Sequence, residues 1–404
     1  MKQRTGALNF ILIAVAIDAI GLGIIMPVLP ELLTDLTGLK LNQAARHGGF
    51  LTLTYALMQF IFMPILGGLS DAFGRRKVLL LSLFCLGIDY LFMAVAPSIA
   101  LLYLGRLISG ATGATYSTAN AYIADITEPD KRAQKFGMIG AAFGVGFVLG
   151  PAIGGLLGDL GPRVPFYVAA GISLANFAYG FFVLPETLAP GHRRSFSIRR
   201  SNPFGTFKSI FALPQLGGFL LVAFLLSFAG FVYPSTFAFY TSERYDWTPR
   251  DIGIALAAFG VASAVVQGWL IRITIPKLGL IWSGAIGILM NAAAYLGLAF
   301  SPNAFIAYMW MIPAALGGLG GPALMNLMSM RVDKSAQGEL QGANGAVNGF
   351  AMLISPVMLT ELFYYFADKD TQTYFPGAPF MLAGILTLLA LFVFIWAVRQ
   401  RPTR

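Results

Sequence analysis

Hydrophobic positions along this chain come as long runs separated by short polar punctuation. A hydrocarbon core about 30 Å thick takes about 20 helical residues to cross, and runs of that size fill nearly the whole sequence. They predict membrane spans over about 7–29, 47–69, 78–96, 99–126, 135–157, 163–184, 215–240, 250–272, 279–300, 303–330, 338–362 and 377–398. The expected fold class is an all-α integral membrane protein with twelve transmembrane helices. The first run, through Leu29, is too long for the apolar segment of a signal peptide and lacks a small-residue cleavage site, so it is expected to remain as the first span.

Composition points the same way. Apolar residues make up 57% of the 404 positions and charged residues 11%, whereas a soluble domain carries roughly a quarter charged. The net charge of +9 raises the question of nucleic acid, and its distribution answers it. With both ends on one side, twenty Lys/Arg fall on that face, among them Arg75, Arg76, Lys77, Lys131, Arg132, Arg193 and Arg194. Six fall on the other: Lys40, Arg46, Arg163, Arg244, Arg250 and Lys369. The positive-inside rule places both termini in the cytoplasm, and the excess charge sets topology with no nucleic-acid partner. Cys85, the one cysteine, sits in an apolar run as a core residue. The two histidines, His47 and His192, belong to no metal-ligand cluster or nucleophile-base set, so an enzyme is not expected.

One connection is long and polar, 185–214, and it divides the chain into six-span halves at 1–184 and 215–404. It reads as a cytoplasmic linker whose basic residues could also meet anionic headgroups. A shift of 205 positions brings Gly74 onto Gly279, Pro97 onto Pro302, Gly113 onto Gly318 and Pro151 onto Pro356. Such a parallel repeat suits a transporter that binds near the bilayer midplane between halves and rocks to give alternating access; a channel has less need of it. Glycine inside spans, as in the run from Gly144 to Gly155 and in Gly317-Gly318-Leu319-Gly320-Gly321, lets helix backbones approach closely in lipid. No strand precedes these glycines, so they do not read as a phosphate cradle.

Three charges fall inside spans: Asp18, Asp89 and Arg106. Such a residue at mid-span costs about 2.5 to 3.5 kcal/mol even on the lenient insertion scale, and so usually faces a polar interior and acts there. Counted from the span ends at about 1.5 Å per residue, Asp89 and Arg106 share a depth and Asp18 lies about 6 Å deeper. They can form one cluster that binds and releases a proton, or a fixed structural ion pair. Near the basic face, the loop Gly67-Gly68-Leu69-Ser70-Asp71-Ala72-Phe73-Gly74-Arg75-Arg76-Lys77 offers glycines for a tight turn and an aspartate suited to a helix N-terminus. Arg75 has a candidate partner in Asp125.

That loop resembles the signature loop of the major facilitator superfamily, and the Gly144–Gly155 run, with Gly146, Gly150, Pro151, Gly154 and Gly155, resembles the helix-5 signature of its antiporters. The strings Ile17-Asp18-Ala19-Ile20-Gly21, Met26-Pro27-Val28-Leu29-Pro30, Tyr55-Ala56-Leu57-Met58-Gln59-Phe60, Ile88-Asp89-Tyr90, Tyr122-Ile123-Ala124-Asp125-Ile126-Thr127 and Gln337-Gly338-Glu339-Leu340-Gln341-Gly342 are similar to the tetracycline efflux proteins. The resemblance implies two pseudo-symmetric six-helix bundles in a bacterial inner membrane, exchanging a magnesium-chelated tetracycline for a proton, with no resident cofactor. Asp18, Asp89 and Arg106 would then serve coupling and binding, Gln59 and Gln267 would contact drug, and Gly67, Asp71, Gly74, Arg75, Arg76 and Asp125 would form a cytoplasmic gate.

Asn120, Tyr233, Asn326, Gln341, Asn344 and Asn348 lie in spans that line the cavity in this fold, although interhelical hydrogen bonding explains intramembrane amides equally well. Two positions depart from the pattern: Asn291 where those transporters have an aspartate on helix 9, and Ser263 where many have a histidine on helix 8. Asparagine takes up no proton, so either coupling rests on Asp18 and Asp89 or the substrate has changed. The expected function is proton-coupled efflux of a small organic molecule by a monomer. The rival readings are an exporter of another drug or metabolite, a solute uptake symporter or facilitator, and a non-transporting receptor or scaffold.

Overall fold

The computed structural model describes residues 2–128, 131–188, 191, 193–197, 213–333 and 336–400. Most of the central linker predicted over 185–214 lies outside the described residues. Among those described the regular structure is helical. In chain order the helices are α1 (Lys2–Thr37), α2 (Leu41–Phe73), α3 (Arg75–Val95), α4 (Ile99–Thr112), α5 (Thr115–Ile126), α6 (Arg132–Gly158), α7 (Val164–Val183), α8 (Gly217–Gly230), α9 (Val232–Tyr245), α10 (Pro249–Val265), α11 (Ile271–Ala299), α12 (Ala304–Leu316), α13 (Gly320–Ser329), α14 (Gln337–Phe366) and α15 (Ala378–Arg399).

Ten stretches among the described residues are helices long and apolar enough to cross a membrane. Two of the twelve predicted spans are hidden in that number. Residues 249–299 form one stretch that holds two spans, because two helical segments abut at Gly279, whose φ of 76° and ψ of 167° are not helical and turn the chain. Residues 99–126 do not form the single helix predicted: Gly113 (φ −72°, ψ 71°) and Ala114 (φ −119°, ψ 12°) interrupt it. The tenth predicted span breaks likewise, into α12, a 3₁₀ turn at Gly317–Leu319 and α13. Pro313 removes a backbone donor just before that turn, and four of the five residues from Gly317 to Gly321 are glycine. The spans predicted from hydropathy fall on helices, but several helices run well past them, as α1 (Lys2–Thr37 against 7–29) and α2 (Leu41–Phe73 against 47–69) do, and two spans are broken, since hydropathy is blind to backbone conformation.

The exterior is apolar. Phe182, Phe305 and Phe392 are 84%, 71% and 70% exposed, a surface that water does not tolerate in bulk and lipid does.

The helices fall into two compact units, one of residues 1–39, 54–203 and 248–257 and one of residues 40–53, 204–247 and 258–404. In the first, Phe10, Ile11, Ala14, Leu79, Leu83, Tyr122 and Ile123 form the core near the basic face, and α1 packs along α6. The glycines of α6 explain that packing. A Cβ at Gly146, Gly150 or Gly154 would lie 2.3, 2.5 or 2.4 Å from the carbonyl oxygens of Ala16, Ile20 and Ile24, which are spaced one turn apart on α1. Gly155 points elsewhere, to Gly253 and the Pro249 carbonyl at the start of α10.

In the second unit, Leu216, Phe219, Val222, Ile288, Leu324, Leu340 and Phe394 form the core. Here the first turns of α2 are tied to the end of α14. Arg46 pairs with Glu361 at 2.6 Å and lies over the Tyr364 ring at 5.2 Å; Asn42 Nδ2 donates to the Tyr364 carbonyl at 3.1 Å; Lys40 pairs with Asp370 at 2.5 Å.

Candidate functional site

In the first unit, α3 and α4 bury an ion pair. Arg106 donates from Nη2 to Asp89 Oδ2 and to Met93 Sδ, and its guanidinium carbon lies 5.7 Å from the centre of the Tyr55 ring on α2. Asp89 is 0% exposed and Arg106 9%. Gly105 makes the approach of the two helices feasible, since a Cβ there would lie 2.5 Å from Asp89 Oδ1. Desolvating two charges costs several kcal/mol each and is offset only by close pairing; here each partner keeps one unsatisfied atom, Asp89 Oδ1 and Arg106 Nε.

Beside the pair lies a cavity of about 50 Å³, lined by Asp18, Tyr55, Gln59, Ser82, Leu86, Ser109, Gly113, Thr115 and others. That is room for a few waters. Asp18 on α1 thus shares the cavity wall with Ser109, one turn beyond Arg106, and with Leu86, one turn before Asp89. Gln59 is fixed there, its Nε2 donating to the Tyr55 hydroxyl at 3.2 Å and to the freed Gly113 carbonyl at 3.1 Å. The break between α4 and α5 is therefore satisfied by a side chain from α2, as a buried backbone acceptor must be. Asn120, on α5, donates only locally, to Tyr116 O at 2.9 Å.

The loop between α2 and α3 is a second cluster, at the basic face. Arg75 pairs with Asp71 and with Asp125 (3.2 Å) and donates to Ser70 Oγ at 2.7 Å. Sequence reasoning missed the centre of this cluster, Glu186. Its Oε1 accepts backbone N–H groups from Arg75 (2.9 Å), Thr187 (3.0 Å) and Leu188 (3.2 Å). Gly74, at φ 107°, also leaves it room: a Cβ there would meet Glu186 Oε2 at 2.1 Å. Thr187 donates to Asp125 at 3.3 Å. An acid directly after a span end, opposite a basic loop, was the available signal. Arg76 lies over Phe181 and donates to its carbonyl. Gly67 forms no turn of this loop; it lies within α2, and a Cβ there would meet nothing within 4 Å.

The remaining candidates belong to the second unit. Gln267 is exposed on a single π-helical turn, Val266–Leu270, an irregularity frequent at functional sites, and approaches Gly318. Asn291 lies against Gly317, where a Cβ would be 2.1 Å from its Oδ1. Both amides therefore converge on the 3₁₀ turn of the tenth span. Tyr233 stands among Phe259, Tyr295, Phe237 and Phe380, with ring centres 5.2 to 6.0 Å away, and its buried hydroxyl has no protein partner. Asn348 accepts from Ser227 at 2.6 Å and donates to Asn344 O at 2.9 Å. Asn326 and Gln341 are exposed.

Comparison with known proteins decides the family. The sequence profile of the Major Facilitator Superfamily matches residues 11–356. The chain belongs to the major facilitator superfamily. Among superfamily relatives it is 39% identical over 389 residues to the class C tetracycline resistance protein of Escherichia coli, covering 96% of both chains. It is 36% identical to the class G tetracycline resistance protein of Vibrio anguillarum, covering 96% of this chain and 97% of the relative. The crystal structure of the human organic anion transporter MFSD10 aligns with a TM-score of 0.70 at 21% identity, over 97% of this chain and 99% of that one. That likeness supports the fold, a major facilitator fold of twelve helices.

Proposed function

We infer that this transporter exports a tetracycline-class drug across a bacterial inner membrane in exchange for protons, with both termini in the cytoplasm. The observation that carries the reading is the buried Asp89–Arg106 pair beside a water-sized cavity walled by Asp18, in a chain 39% identical over 96% of its length to a tetracycline resistance protein. A proton delivered to the carboxyl cluster weakens the attraction holding Arg106 and frees the wall to change its partners; drug and proton then use the same rearrangement in opposite directions. At a membrane potential of about 150 mV one charge gains roughly 3.4 kcal/mol, a concentration ratio of a few hundred at about 1.4 kcal/mol per decade. One proton per neutral drug is enough; a chelate carrying a single positive charge exchanges for a proton without moving net charge and draws on the pH difference instead.

Gln59, at the α4–α5 break, and Gln267, Asn291 and Tyr233 in the second unit supply amide and aromatic contacts suited to a polar polycyclic ligand. The drug arrives as its magnesium chelate, and the bridged loop of Asp71, Arg75, Asp125 and Glu186 acts as the cytoplasmic gate. A second reading, export of a different drug, is favoured by Asn291 and Ser263, which stand where tetracycline transporters carry an acid and a histidine.

The test is tetracycline uptake into inside-out vesicles under an imposed proton gradient with magnesium, comparing parent with Asp18→Asn. Gradient-dependent uptake lost in the variant supports the reading. Absence of uptake by well-folded parent removes tetracycline and leaves the second.

A further inference from the structure

Around the ion pair, four buried side-chain atoms end without a protein hydrogen-bond partner: Asp89 Oδ1, Tyr90 Oη, Arg106 Nε and Ser109 Oγ. Buried polar groups are rarely left so, and where protein offers no partner, water does. The two hydroxyls among them each neighbour both acids, Asp89 and Asp18. Ser109 is turned toward Asp89 without completing a hydrogen bond, and it lines the same cavity as Asp18. Tyr90, next in sequence to Asp89, is 1% exposed and presses its hydroxyl onto α1 at Gly21, where a Cβ would lie 2.0 Å from Tyr90 Oη. Gly21 is three residues from Asp18, so the two positions share one face of α1. An acid on α3, hydroxyls on α3 and α4, space for water and an acid on α1 thus lie close together.

We propose that Ser109 and Tyr90 are relay residues which, with bridging water, carry the coupled proton between Asp89 and Asp18. In each hop a hydroxyl oxygen takes a proton from the protonated neighbour while releasing its own to the next water. Both hydroxyls end as they began, one carboxyl has lost a proton and the other has gained it. The charged and titratable groups facing this path are Asp18, Tyr55, Asp89, Arg106 and Tyr116. Arg106, fixed on Asp89 Oδ2, leaves Oδ1 as the oxygen that hands the proton on. The proposal rests on the proton-coupled reading above.

Its test needs no drug. Purified transporter in lipid vesicles is given a pH jump and followed by time-resolved infrared difference spectroscopy, with the carboxyl C=O bands assigned by their loss in Asp18→Asn and Asp89→Asn. Ser109→Ala and Tyr90→Phe should each slow equilibration between the two bands by about a hundredfold or more, the range that a positioned proton-transfer group contributes, and enlarge the slowing in heavy water. Ser109→Thr, which keeps the hydroxyl, should restore the parent rate. Parent-like rates in both hydroxyl-deleted variants overturn the relay. A parent in which neither band responds to pH overturns proton coupling itself, and the relay with it. Tyr90→Phe removes one oxygen and keeps the ring packed, so the test stands even if Ser109→Ala does not fold.

Discussion

Replacing Gly150 by alanine tests whether the α1–α6 seam positions the proton-coupling site. The new Cβ would lie 2.5 Å from the Ile20 carbonyl oxygen and 2.8 Å from the Gly23 Cα. Ordinary contact begins at 3.4 Å, so α1 must move by about 0.9 Å at that turn, with backbone and not a flexible side chain in the way. Overpacking of this kind costs about 1–3 kcal/mol. Gly144, in the same run, has nothing within 4 Å of the corresponding position, and alanine there costs no contact and gains helix propensity of about 1 kcal/mol. In detergent-solubilised protein, Gly150→Ala should lower the unfolding temperature and reduce gradient-driven transport, because Asp18 lies on the displaced helix, while Gly144→Ala should do neither. Equal stability of Gly150→Ala and parent, or equal damage from the two substitutions, would refute the reasoning.

Arg106→Ala should destabilise by about 3–5 kcal/mol, by leaving the fully buried Asp89 unpaired, and Asp89→Asn in the same chain should recover much of that loss in a thermal-shift assay without recovering coupling. Glu186→Ala strips the acceptor from three backbone N–H groups and should cost about 1–3 kcal/mol, read as lower stability and faster proteolysis of the α2–α3 loop. Asn291→Ala should leave transport dependent on the proton gradient, since an amide takes up no proton, even where drug affinity falls; loss of coupling would assign the ninth span a part in it. The Lys40 ammonium, by hydrogen bond first and charge second, holds the Asp370 carboxyl below its usual range and is itself raised. Asp370 therefore adds stability above the ordinary carboxylate pKa and loses it only as pH falls through the lowered one. Lys40→Gln should accordingly leave the transport pH profile unmoved between about pH 5 and 8.

Much of this architecture was legible because lipid imposes one rule on every span: apolar length. The same rule made Asp18, Asp89 and Arg106 conspicuous, since charge inside such runs is costly. What escaped was local. The breaks at Gly113 and Gly317–Leu319 depend on backbone dihedrals, and whether a glycine ends a helix or merely admits a neighbour is decided by the partner helix. Gly150 and Gly144 read alike in sequence and differ wholly in surroundings. Glu186 escaped because its Oε1 partners are backbone amides, one on Arg75 and two on the residues directly after it, and a basic loop opposite an acid does not say which backbone groups the acid will take. Packing also reassigns short stretches across the chain's order: residues 40–53 and 248–257 join units other than those of their flanking sequence.

Gly74 and Gly279, 205 residues apart, both turn the chain with positive φ, at 107° and 76°. Around Gly74 stand Asp71, Arg75 and Glu186, linked by hydrogen bonds and charge; around Gly279 a side chain would meet nothing within 4 Å, and its neighbours are Pro276, Lys277, Leu278 and Leu280. If the halves descend from one duplicated gene, the backbone bend is what the two copies have kept in common, while the side chains around it have diverged.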